Sequence, residues 1–101
     1  MPFKPADYNP GLGAWVSVTK TVFLPRPESL EFVGELIMII PAGAAPNTAT
    51  LSELMARSRG AVPTRPSKYT RWVLRAANKI TVAVCPLDKW HLFQPASTKG
   101  L

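Results

Sequence analysis

The chain is poor in the side chains that most often carry chemistry. Cys85 is its one cysteine and His91 its one histidine. A single cysteine excludes an intrachain disulfide and any cysteine-cluster zinc site. Cys85 ends the apolar run Ile80-Thr-Val-Ala-Val-Cys85, where a small buried thiol is expected rather than a reactive one. His91 sits among aromatic residues, with no ligand or triad partner at a recognisable spacing, and reads as structural. A glycine-rich phosphate loop is missing, and so is Gly-Lys-Ser/Thr. Glu31 and Glu35 are the one close carboxylate pair on a common strand face. Four residues of strand hold them about 13 Å apart, wider than the roughly 5–9.5 Å of glycosidase pairs. Catalysis, a metal site and a bound cofactor are therefore not expected.

Long apolar runs are also missing. The longest is Leu36 to Ile40, closed by Pro41, far short of the roughly 20 residues of a membrane-spanning helix. No apolar leader follows Met1, and two prolines fall in the first five residues. A soluble protein of a reducing compartment, cytoplasmic, is the expectation. Charged residues make up 18% of the chain and apolar ones 47%, which suits a folded domain rather than a disordered one. One domain is expected for 101 residues. The eleven prolines cluster at segment ends, since proline removes a donor and fixes φ.

Residues 1–13 read as an extended N-terminal arm, with Phe3 and Tyr8 as its pins. Residues 14–94 form the β-rich domain and 95–101 a tail. Ala14 to Leu24 alternates as a strand, with Val16, Val18, Val22 and Leu24 on one face. Leu30 to Ile40 suits a strand, with Leu30, Phe32, Leu36, Met38 and Ile40 on one side, but a helix also fits its spacing. Thr50-Leu-Ser-Glu53 matches a capping box, which predicts a short helix near 51–59 with Thr50 as N-cap and Gly60 just past its end. Lys68 to Ala76 alternates again, Thr70, Trp72, Leu74 and Ala76 against Tyr69, Arg71, Val73 and Arg75. A helix over 69–77 is the open alternative there. A turn at Ala77-Asn78-Lys79, with Asn78 suited to left-handed φ, leads into Ile80 to Cys85. Trp90 to Gln94 forms a last short strand. The fold class is mainly β, an antiparallel sheet or small sandwich with one short α-helix.

What the chain does have is a basic block. Arg57 to Lys79 holds seven basic residues and no acidic one, and the net charge is +6. The candidate nucleic-acid-binding residues are Arg57, Arg59, Arg65, Lys68, Tyr69, Arg71, Arg75 and Lys79. Lysines and arginines interleaved with an aromatic ring suit a phosphate backbone with stacking bases. Trp72 belongs to the core by its face. Arg71 and Arg75 also have the spacing of Glu31 and Glu35. Antiparallel neighbours would set Glu31 against Arg75 and Glu35 against Arg71, within the chain or between subunits, at roughly 0.2–1 kcal/mol per pair.

These features predict a non-enzymatic, small basic protein that binds nucleic acid or another polyanion in a structural or accessory role. A virion or other assembly is one setting for such a chain. The alternatives are an assembly subunit whose charges pair within a homo-oligomer, and a peripheral binder of anionic membranes anchored by Trp15, Trp90 or Phe93. Exposed strand edges, and an apolar Leu36 to Ile40 that needs the helix or a second subunit to cover it, make a homo-oligomer the expectation.

Overall fold

Alternation of β-branched and aromatic residues with polar ones builds the strands where period-2 patterning places them. The computed structural model describes residues 9–23, 25–58, 60–90 and 92–96. Its elements are β1 (Trp15–Phe23), β2 (Pro27–Ile40), α1 (Thr48–Leu54), β3 (Arg71–Arg75), β4 (Val82–Pro86) and β5 (Leu92–Pro95). The five strands form one sheet in the order β4-β3-β2-β1-β5, every neighbouring pair antiparallel. The mainly β class with one short helix holds, and both helical alternatives, over 30–40 and 69–77, give way to strand. Phe3, Tyr8, Leu24, Arg59, His91 and the tail beyond Ala96 lie outside the described residues.

The sheet is strongly curled. Neighbouring strands lie about 4.8 Å apart, so β3 and β5, with two strands between them, would sit about 14 Å apart if flat. Yet the rings of Trp72 on β3 and Phe93 on β5 meet at 4.8 Å between centroids, tilted by 53°. Only a curled sheet brings their inner faces that close. The link between the two edge strands supports this. Residues 87–91 alone join β4 to β5, and part of that length is spent in a turn, where Lys89 and Trp90 donate their N–H groups to the Pro86 carbonyl. Every strand then feeds one inner core of Val16, Val18, Leu36, Trp72, Leu74, Cys85 and Phe93, closed by Trp90.

A second core lies on the outer face. Ile40, Leu51, Met55, Val73 and Val82 are buried there, with Ile37, Met38, Val62 and Val84 packed around them. Thus α1 covers the end of β2; Leu36 and Ile40 are buried and Ile37 and Met38 partly so, while Ile39 stays exposed. The alternation of this stretch is not continuous as the sequence suggested. The register against β3 shifts between Leu36 and Met38. This bulge sends Leu36 inward and both Ile37 and Met38 outward, because an extra residue inverts the faces that follow it.

The helix starts earlier than the capping box predicts. Asn47, not Thr50, is the N-cap, its side chain accepting from the Thr50 N–H. Asparagine caps at least as well as threonine, and it leaves Thr48, Ala49 and Thr50 free to form the first turn. The helix ends at Leu54 with Met55 as C-cap, so Gly60 lies well beyond it. In the β3–β4 turn Lys79, not Asn78, takes positive φ, at 63°. Asn78 instead uses its side chain, accepting from the N–H groups of Ile80 and Thr81 and donating to Thr81 Oγ1. An Asx turn of this kind satisfies backbone donors that have no ladder partner.

Both ends of the expected domain are tied in. Gly13 donates its N–H to the Leu36 carbonyl, and Ala96 donates to that of Trp15. At the far end of the β1–β2 hairpin the neighbours run out. The β1–β2 register extends to Phe23↔Pro27, whereas β5 pairs only with Val16 to Thr19 and β3 only with Glu35 to Ile40.

Gly34 sits where β3 leaves this ladder. A Cβ added there would lie 2.9 Å from the Arg75 carbonyl oxygen and 3.0 Å from the Phe32 ring. The carbonyl is backbone and cannot swing aside. Gly34→Ala is therefore expected to lower stability by about 1–3 kcal/mol in urea unfolding. An unchanged midpoint with unchanged slope would show that the end of β3 has room to move.

Candidate functional site

The fold divides the basic block into two clusters. Arg71, Val73 and Arg75 share the outer face of β3, with Arg71 and Arg75 about 13 Å apart along the strand. Helix α1 packs over Val73 between them. Arg57, just past the helix, and Lys79, in the β3–β4 turn, join Arg75 on one shallow cavity of about 240 Å³, with Glu53, Leu54, Ala56 and Ile80 completing its wall. Arg65, Lys68, Tyr69 and Arg71 belong to the opposite end of β3. Arg59 lies outside the described residues.

Each cation of the first cluster is held by a local device. Ser58 Oγ donates to the Val82 carbonyl at 2.9 Å and accepts from the Val82 N–H at 3.4 Å. That stitch fastens the segment after α1 to β4 and keeps Arg57 beside the β3–β4 turn. The Asn78 bonds fix the turn that carries Lys79. Arg75 is opposite Glu35 in the β2–β3 register and forms an ion pair with it, Nη2 to Oε1 3.3 Å. The pair is about a third exposed on each side, which limits it to a few tenths of a kcal/mol up to about 1 kcal/mol. Among the described residues, neither Arg57 nor Lys79 has a carboxylate within ion-pair distance.

The expected pairing is thus half rearranged. β2 and β3 are antiparallel neighbours, but Arg75 faces Glu35 rather than Glu31, and Arg71 faces Ile40. Because β3 lies against the C-terminal part of β2, Glu31 never meets it. Glu31 lies opposite Thr19 on β1 and accepts a hydrogen bond from Ser17 Oγ.

Arg71 is the surprise in the second cluster. It is only 9% exposed, and Nη2 donates to the Arg65 carbonyl at 2.8 Å. Its Nε is buried without a partner among the described residues. A guanidinium used this way pins the 65–71 loop and is not presented to a ligand. Arg65, Lys68 and Tyr69 remain exposed around it, Tyr69 at 49%. No sequence signal marked Arg71 as buried, since its neighbours on the same face alternate like those of an exposed strand. Ile80 was missed as well. It lines the cavity and is 43% exposed, although the sequence assigns it to a strand.

Trp72 is buried in the inner core, as its face implies. Phe93 and Trp90 are buried there too, and Lys20 Nζ lies 4.7 Å from the Trp90 ring. Neither aromatic is available as a membrane anchor. Among the described residues no helix is long and apolar enough to cross a membrane. No three His, Cys, Asp or Glu of the described residues come together as a metal site. Comparison of the chain with protein-family models, with curated proteins and with solved structures finds no match.

Cys85 is fully buried in the inner core. Burial pushes its thiol up from 9.0 to about 12, opposed only weakly by the charge of Lys20. The thiol therefore stays protonated and unreactive in the folded chain. Unfolding returns it to its ordinary value, so the unfolded chain loses its proton first. Stability contributed by this site is complete below pH 9.0 and falls as pH climbs toward 12. Against Cys85→Ala, the wild type is expected to show an extra alkaline decline approaching 1.4 kcal/mol per pH unit, read from urea unfolding at several pH values. Parallel curves for the two proteins would mean that the thiol ionises without unfolding.

Proposed function

We propose that this chain is a small, non-enzymatic nucleic-acid-binding protein with a structural or accessory role in the cytoplasm or in an assembly built there. The observation that carries this reading is the convergence of Arg57 from the segment after α1, Arg75 from the end of β3 and Lys79 from the β3–β4 turn on one open cavity. Only Glu53 lines that cavity with the opposite sign. Fixed cations around a concavity attract a phosphate backbone, and each phosphate contact releases condensed counterions. Arg65, Lys68 and Tyr69 offer a second landing at the other end of β3, with an exposed ring on which a base can stack.

The rival readings have less support. An oligomer held by Glu31 and Glu35 against Arg71 and Arg75 of a neighbour loses three of its four members, because Arg75 and Glu35 pair within the chain and Arg71 is buried. A membrane surface would meet basic residues but not the buried Trp90 and Phe93, and of the expected anchors only Trp15 is partly exposed.

Anisotropy of a labelled single-stranded oligonucleotide, titrated at several salt concentrations, tests the proposal. Three phosphate contacts predict a log–log slope of about −2, at roughly −0.7 per contact. Arg57→Ala with Lys79→Ala should flatten it by roughly 1.4 and leave the thermal melt in place. Arg71→Ala should do the reverse, with a loss of about 1–3 kcal/mol in stability and no change in slope. Absence of wild-type binding at low salt would end the nucleic-acid reading.

A further inference from the structure

The basic cavity does not stand alone. A second cavity, of about 450 Å³, adjoins it and is lined by Arg57, Ser58, Gly60, Ile80, Thr81 and Val82. Arg57 and Ile80 line both, so the two form one groove with a shared wall. Its halves differ in chemistry. The first presents Arg57, Arg75 and Lys79. The second presents the exposed side chain of Ile80, with the buried Val82 forming its floor. Its two hydroxyls are already engaged, Ser58 with the Val82 backbone and Thr81 with Asn78. What is left for a ligand there is chiefly the apolar surface of Ile80 beside the Arg57 side chain.

We propose that this groove binds one nucleotide of a single strand, with its phosphate among Arg57, Arg75 and Lys79 and its unstacked base in the half lined by Ile80 and Val82. This rests on the nucleic-acid reading and narrows it to single strands. A duplex presents phosphates but keeps its bases stacked, so it could use only the charged half. A base has a flat π-face that packs on aliphatic side chains and on a guanidinium plane, and Arg57 stands where phosphate and base meet. Ile80 points to the same occupant. An isoleucine 43% exposed beside a tight turn exposes apolar surface that nothing in the described chain covers. Its backbone is held by the turn, since the Asn78 side chain accepts from the Ile80 N–H at 2.8 Å. A wall fixed before binding loses little freedom when the base arrives. Readout through apolar contact and a guanidinium face carries no hydrogen-bond code, so all four bases are accepted.

The experiment compares two labelled chains of equal length and charge, ten-residue oligothymidylate and a ten-residue abasic deoxyribose-phosphate chain. Both are titrated with the full-length protein at the same salt. About tenfold tighter binding of the thymidylate is expected. Ile80→Ser should bring the two chains close to parity while the abasic affinity and the salt slope stay as in the wild type. Its melting temperature serves as the check on folding, and a turn residue this exposed should shift it little. Arg57→Ala should weaken both chains. Equal wild-type affinity for the two chains overturns the base-binding half and leaves the phosphate reading intact. A tenfold preference that survives Ile80→Ser in a folded variant also overturns it, since the base then sits elsewhere. A duplex of the same length bound more tightly than the single strand does the same. Binding to neither chain, with or without binding to vesicles of anionic phospholipid, removes the nucleic-acid reading itself and this inference with it.

Discussion

The contact between Trp72 and Phe93 holds the two flanks of the sheet together. These rings come from strands that are three positions apart in the sheet order, so the curl of the sheet and their contact require each other. A flat sheet of five short strands would leave one face in water and would need a second layer to bury it. Curling lets a single sheet enclose its own inner core. The outer face is then free for α1, whose one fully buried residue, Leu51, meets Ile40, Val73 and Val82. Two small cores back to back thus share β2, β3 and β4, and each depends on the other through the alternating residues of β3.

That alternation is why so much of the fold was legible. Trp72 and Leu74 enter one core and Val73 the other, as the period of two in the sequence requires. Two features were less visible. A bulge carries no reliable sequence mark, so the faces of Met38 and Ile40 were read one residue out of phase. The curl depends on a contact between residues twenty-one positions apart, which no local pattern reports. In the candidate site, Arg57, Arg75 and Lys79 were readable as basic, but their convergence was not, because α1 and the β3–β4 turn meet only after the sheet has formed. Arg71 was the plainest miss. Charge type alone cannot distinguish a guanidinium that serves a ligand from one that serves a carbonyl of its own loop.

The outer face also shows how one short strand can do two jobs. At the Arg71 end, β3 anchors a proline-containing loop through a hydrogen bond to the Arg65 carbonyl. At the Arg75 end, it supplies charge to an open groove. The difference comes from what covers each end. Arg71 lies between Ile40 and Pro86 in the register, where its own loop folds over it. Arg75 lies between Glu35 and Val82, beside a turn that leaves the guanidinium partly in water. Opposite charge at Glu35 steadies Arg75 without burying it.

The sheet order has a consequence for how the chain acquires its structure. β1 through β4 can assemble as a run of neighbours in sequence, apart from the helix between β2 and β3. β5 cannot. Its partner is β1, more than seventy residues earlier, so its docking closes the longest loop in the sheet. Contacts this distant in sequence are slow to form, because loop closure must precede any gain from them. Until β5 docks, Phe93 is missing from the core and the edge of β1 from Val16 to Thr19 shows unpaired backbone groups. An apolar edge of that kind recruits other chains. A chain with four strands formed and the fifth undocked would therefore be the species most open to association. The protein's yield in any refolding should depend on chain concentration more than its native stability would suggest.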